Sequence, residues 1–136
     1  MATIVIKSAT VSLAAVDIST CVTQVSIDYK SEMQDETAMT DSTRRRLPGL
    51  LDWTINIDVN QDYVAAGVDA TIFALVGTST LVVACKADTA AVAVTNPNYT
   101  GVGVVESYAP LQAQIGQLHK SRIVVLAAGT LTRNTT

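Results

Sequence analysis

His119 is the only histidine in the chain, so a metal site built on two imidazoles is ruled out, and any Ser/His/Asp relay has to run through this one residue. It stands between Leu118 and Lys120 with no nucleophile marked nearby, which reads as a surface or edge histidine. Glu32, Asp35 and Glu36 could offer oxygens to a hard cation, but calcium-loop spacing is missing and a solvated charge run is the simpler account. Gly101-Val102-Gly103 is too little for a phosphate cradle, which needs further glycines and a following helix. Arg44-Arg45-Arg46 could touch phosphate; flanked by Asp41 and Asp52 in an acidic chain, they read instead as an ion-pair patch between chains. Cys21 and Cys85 read as small buried hydrophobes and not as a disulfide. Asn98-Tyr99-Thr100 and Asn134-Thr135-Thr136 match the glycosylation acceptor pattern by chance, because no secretory signal is visible at the N-terminus. No catalytic constellation, cofactor or metal site is expected.

The composition points the same way. At 136 residues the chain fits one domain, residues 1–136. Its 49% hydrophobic and 15% charged residues contrast with an ordinary charged share of about 25%, so the folded surface would be short of charge and suited to burial against partners. Aromatics are only 4%, leaving Val, Ile, Leu and Ala, which suit pleated sheets more than ligand pockets. A net charge of -3 argues against a protein that grips nucleic acid. Ala70 to Cys85 is the longest uncharged apolar stretch; it falls short of the ~20 residues of a spanning helix and is broken by Gly77-Thr78-Ser79-Thr80, so no membrane role is expected and the chain reads as soluble and cytoplasmic.

The clearest periodicity is Trp53-Thr54-Ile55-Asn56-Ile57-Asp58-Val59-Asn60, apolar at every odd position, which predicts a strand with one wet face. Val25, Ile27 and Tyr29 alternate with Ser26, Asp28 and Lys30 in the same way within a strand at about 22–30. After Asn60 the period changes: Val64, Val68, Ile72, Leu75 and Val76 form a helical stripe, predicting one helix at about 62–76 with Asp62 as N-cap and Gly77 as stop. Further strands are expected at Thr3 to Lys7, Val11 to Ala15, Leu81 to Lys86, Gly101 to Tyr108 and Arg122 to Thr132. Ile123 to Ala128 is apolar on both faces and should be covered on both. The chain therefore reads as mostly β, with one helix lying against a sheet.

Ser31 to Asp52 stands apart as a long loop, acidic at Glu32, Asp35, Glu36 and Asp41, basic at Arg44, Arg45 and Arg46, then apolar at Leu47, Leu50 and Leu51. Loops of more than ~12–15 residues are uncommon in compact domains and are usually functional or disordered. An arm reaching to another subunit would use all three features, whereas a solvated surface loop would need none of them.

The run Val25-Ser26-Ile27, Glu32-Met33-Gln34-Asp35-Glu36-Thr37-Ala38-Met39, Asp41-Ser42-Thr43-Arg44-Arg45-Arg46-Leu47-Pro48-Gly49-Leu50 and Asp52-Trp53 resembles the middle of the tail tube (major tail) proteins of long-tailed bacteriophages. Gly101 to Pro110, Gly116 and Ala128 to Arg133 extend the similarity. The resemblance implies a mostly β fold of two packed antiparallel sheets, as a sandwich or half-barrel, with one flanking helix. It implies rings, hexameric in that family, stacked into a hollow tube of the virion tail through which viral DNA passes, assembled in the bacterial host cytoplasm and completed by other tail proteins at the tube ends. It implies that the 31–52 segment contacts the adjacent ring through Glu32, Asp35, Glu36, Asp41, Arg44, Arg45, Arg46, Leu47 and Leu50. It also assigns the wet faces of the two one-sided strands, Gln24, Ser26 and Asp28 with Thr54, Asn56 and Asp58, to the lumen. A capsid decoration or cement protein and a monomeric β-sandwich binding or adhesion module are the competing readings.

Overall fold

The computed structural model describes residues 3–65, 67–78 and 80–136; Ala66 in the expected helix and Ser79 in the expected turn lie outside them. The chain forms β1 (Thr10–Leu13), β2 (Val16–Asp17), β3 (Val22–Asp35), β4 (Arg46–Asn60), α1 (Val68–Leu75), β5 (Leu81–Lys86), β6 (Asn98–Tyr108), β7 (Lys120–Ala127) and β8 (Thr132–Asn134). The expectation of a mostly β fold with one helix holds. Where two packed sheets were expected, the strands form one continuous antiparallel ladder in the order β2-β1-β5-β6-β7-β4-β3, with β8 on β6.

That sheet is strongly curled. Only residues 18–21 connect β2 to β3, the two outermost strands, and five residue steps span roughly 18 Å at full extension, so the two edges come close together. Inside the curl lie Val11 and Leu13 of β1, Leu81 and Val83 of β5, Trp53, Ile55, Ile57 and Val59 of β4, and Ile123 and Val125 of β7. Val68 and Ile72 of α1, one helical turn apart, join them in the core.

Both one-sided strands appear as expected, paired Val25↔Ile57 and Ile27↔Ile55. In β7, Ile123 and Val125 are buried, while Val124 and Leu126 are half-buried on the other face. Pro97 precedes β6 and Pro110 follows it.

Four expectations change. The helix is shorter than 62–76 because Asp62 does not cap it: its carboxylate accepts the Val64 N–H at 3.1 Å in a local turn, and the N-cap is Gly67, without a side-chain bond. Gly77, at φ +89°, does end it. Thr3 to Lys7 is rich in β-branched residues but has no ladder partner among the described residues, and Ile4, Val5 and Ile6 are exposed. The expected strand from Arg122 to Thr132 is two strands, β7 and β8, separated by a turn at Gly129. The expected loop at 31–52 is largely β-hairpin.

Ala14 and Ala15 turn β1 into β2 with φ of 51° and 66°. A two-residue turn with both φ positive favours Asn-Gly, and each non-glycine residue there costs about 1–2 kcal/mol. Replacing Ala14-Ala15 with Asn-Gly is therefore expected to stabilise the fold by about 1–2 kcal/mol, measured as a higher urea midpoint at unchanged slope.

Candidate assembly surfaces

The 31–52 segment extends β3 and β4 beyond the body as a two-stranded arm. Its register runs Ser31↔Leu51, Met33↔Pro48, Gln34↔Leu47 and Asp35↔Arg46, with a β-bulge between Ser31 and Met33. Pro48 is tolerated because here β4 has a neighbour on one side only. The tip is tied by the Glu36 N–H on the Arg45 carbonyl at 2.8 Å, the Thr37 N–H on Asp35 Oδ1 at 2.9 Å and the Ala38 N–H on Asp41 Oδ2 at 2.8 Å. The Thr37 hydroxyl and N–H, and then Arg44, hold the Asp35 carboxyl below the usual aspartate range.

Nearly every residue of this arm is exposed. Met33, Met39, Leu47, Leu50 and Leu51 all face solvent, although each is a large apolar side chain. Within the arm, Arg44 pairs with Asp35 at 3.0 Å, and Arg45 with Glu36 at 3.0 Å and Asp41 at 3.6 Å. Arg46 makes no ion pair among the described residues. Pairs this exposed are largely screened by water and add little to stability, so their main effect is to shape the tip. Reversing Arg44 and Arg45 to Glu should splay it, and light scattering should show weakened self-association, most clearly at low salt.

The six wet-face residues come together on the outer face of the sheet. Gln24 lies opposite Asp58, Ser26 opposite Asn56 and Asp28 opposite Thr54. The strand alternation missed the far side of this face, because only the β4–β7 pairing reveals it: Asp58 faces Arg122, Asn56 faces Val124 and Thr54 faces Leu126. Arg122 Nε approaches Asp58 Oδ1 at 4.0 Å, so the acidic wall is partly neutralised. At the root of the arm, an open groove runs between Tyr29, Leu50, Leu51, Gly129 and Leu131.

At the opposite end of the sheet, residues 109–119 connect β6 to β7. His119 anchors this loop: the Gln112 N–H donates to Nε2 at 2.9 Å, and Nδ1 lies 3.0 Å from the Tyr63 hydroxyl, which donates to the Pro110 carbonyl at 2.7 Å. The imidazole stacks on Tyr63 at 5.7 Å between centroids. Gln61 donates to the Pro110 carbonyl and to the Tyr108 hydroxyl, which donates to Asp69 Oδ1 at 2.8 Å. Burial, and then the Asp69 carboxylate, push the Tyr108 hydroxyl up to about 12. The lone histidine is an edge residue with a structural part.

Gly101 and Gly103 leave room for an indole. A Cβ on Gly101 would lie 2.8 Å from Trp53 Cζ2, and one on Gly103 would lie 2.6 Å from Val125 Cγ1 and 2.8 Å from the Leu126 carbonyl. Trp53 Nε1–H donates to the Gly129 carbonyl at 2.9 Å, tying β4 to the β7–β8 connection near the root of the arm. Cys21 and Cys85 are free thiols, and burial pushes Cys85 up to about 12. Among the described residues, no cluster of three His, Cys, Asp or Glu could hold a metal, and no helix is long and apolar enough to cross a membrane.

No family model and no curated protein matches the chain. Solved structures do. A chain of the virion of a native gene transfer agent particle superposes with a TM-score of 0.74 at 13% identity, covering 97% of this chain and 99% of that one. A chain of the tail of an empty gene transfer agent particle, refined with C6 symmetry, gives 0.66 at 14% identity over 84% and 82%. A chain of an extracellular contractile injection system, at its sheath/tube terminator in the extended state, gives 0.72 at 10% identity over 97% and 96%. In fold, over nearly its whole length, the protein resembles chains that build the tails and tubes of such particles, in line with the resemblance carried by its sequence.

Proposed function

We propose that the protein is a tail tube subunit, which closes into rings, hexameric by analogy, and stacks them into a hollow virion tail tube that DNA traverses. The observation that carries this reading is the arm: a well-tied hairpin displaying Met33, Met39, Leu47, Leu50 and Leu51 to water is a liability for a solitary protein and an asset for a repeating one. The nine residues Glu32, Asp35, Glu36, Asp41, Arg44, Arg45, Arg46, Leu47 and Leu50 then form the contact with the adjacent ring. The fold shared with tail and tube chains supports the same conclusion.

Ring closure follows from the sheet edges. Among the described residues, β3 pairs only with β4 and β2 only with β1, so both outer strands carry backbone groups that a neighbouring subunit can complete. The face bearing Gln24, Ser26, Asp28, Thr54, Asn56 and Asp58 lines the lumen. With Arg122 close to Asp58 it is only weakly repulsive to phosphate, which suits a polymer that slides past and is not held. Assembly takes place in the host cytoplasm, with other tail proteins capping the tube ends.

Two measurements test this. Sedimentation of the purified protein should show growth from subunit to large assembly with rising concentration, and a monomer throughout would end the proposal. Replacing Asp28 and Asp58 with Lys should leave tube formation intact but make the tubes retain double-stranded DNA in a salt-dependent way; equal retention by wild type would remove these residues from the lumen.

A further inference from the structure

The hairpin needs a receiving surface, and the fold offers one at the far end of the same strand. β4 begins at Arg46 in the arm and ends at Asn60, which pairs with Lys120 at the start of β7. Fourteen residue steps at about 3.3 Å put these ends roughly 46 Å apart. The 109–119 loop, from the end of β6 to Lys120, therefore caps the end opposite the arm.

This loop is built to be touched. Leu111, Ile115 and Leu118 are large aliphatic residues, and Ile115 is 107% exposed. Between them stand Gln112, Gln114 and Gln117, and no acidic residue occurs from Ser107 to Ser121. The loop is also held in place: its last residue, His119, accepts from the Gln112 N–H near its start and from the Gln61 N–H just beyond β4, while Gln61 and Tyr63 donate to the Pro110 carbonyl. A flexible apolar loop would shield its own side chains; a tethered one presents them.

Resting on the tail tube reading, we infer that the 109–119 loop of one copy is the dock for the 31–52 hairpin of the copy stacked on it, with Leu111, Ile115 and Leu118 receiving Met39, Leu47, Leu50 and their neighbours. The areas match. At roughly 60–120 Å² of apolar surface per large aliphatic side chain, three on the loop and five on the arm provide on the order of 500–1,000 Å². That is the apolar share of a standard interface of about 1,200–2,000 Å² in total. Charge does not oppose the contact: the arm's acids Asp35, Glu36 and Asp41 are already paired with its own arginines, and the loop brings no acid of its own. Two different patches at opposite ends of one molecule make a head-to-tail contact, which propagates along an axis without closing. His119 and Tyr63 act as positioning residues for that contact.

The test is Ile115→Asp with Leu118→Asp, compared with wild type by electron microscopy and light scattering. Trp53, the only tryptophan, reports folding by its emission. The expected result is a folded protein that still forms single rings but needs at least about tenfold higher concentration to stack them. Adding Leu50→Lys should recover part of the loss by giving the new carboxylates a partner. Should the double variant fail to fold, Ile115→Gln, which suits a loop already rich in glutamine, replaces it with the same expectation. Wild type and loop variants that stack at the same concentration would overturn the dock while leaving the tube reading intact. A wild type that never stacks would overturn that reading and the dock with it.

Discussion

Shortening the hairpin should abolish tubes and leave the subunit folded. Ser31 and Leu51 face each other in register, so removing Glu32–Leu50 and joining the strands with Asn-Gly retains the pairing and supplies a favoured two-residue turn. Among the described residues, no fully buried core side chain lies between Ile18 and Trp53, so the cut removes no core packing. What it does remove is Met33, Met39, Leu47 and Leu50, all of the arm's charged residues from Glu32 to Arg46, and the surface proposed to reach the next ring. The expected outcome is a thermal midpoint within a few degrees of wild type and no tubes in micrographs at any concentration. Rings without stacking would accord with this outcome; tubes of normal length would refute the role given to the arm.

The second large effect is on stability. Trp53 is 1% exposed, fills the space left by Gly101 and Gly103, and bonds the Gly129 carbonyl. Trp53→Ala would open a cavity and leave that carbonyl unpaired, at a cost of about 3–5 kcal/mol. Against a typical stability of roughly 5–15 kcal/mol this is a large part of the whole. The measurement is urea unfolding followed by circular dichroism, in the hairpin-shortened background so that assembly does not mask the loss. A change below about 1 kcal/mol would mean that the indole is not the keystone that the glycine geometry implies.

The parts of the fold that were legible in the sequence are those where one face is wet and one dry. Trp53 to Asn60 alternates because the curled sheet has an inside and an outside, and period 2 records that directly. The hairpin arm was illegible for the same reason: with water on both faces there is no alternation, and Pro48-Gly49 looks like a break although both lie within β4. Thr3 to Lys7 shows the converse. A β-branched run states what the backbone can do, but a strand also needs an edge to pair with, and this stretch has none among the described residues.

The helix was visible through Val68 and Ile72, the pair that faces the core, while its length was overestimated because Val64 and Val76, in phase with them, are exposed and lie outside it. Of the candidate surfaces, the wet-face residues were readable, and their cross-strand partners were not: Arg122 meets Asp58 only through the β4–β7 ladder, more than sixty positions away in sequence. Gly101-Val102-Gly103 lies within β6, and its use, room for Trp53, rests on contacts that no local pattern encodes. His119 likewise gave no sign of its two partners, Tyr63 and Gln112, since its ring contacts depend on how the 109–119 loop closes.

The most direct test of the account is a helical reconstruction by cryo-electron microscopy of the protein concentrated until it assembles. The account predicts a hollow tube of stacked rings, with residues 31–52 crossing from each ring into the next and the face bearing Asp28 and Asp58 turned towards the bore. Particles that remain solitary, or a tube whose hairpins point into solvent, would contradict it.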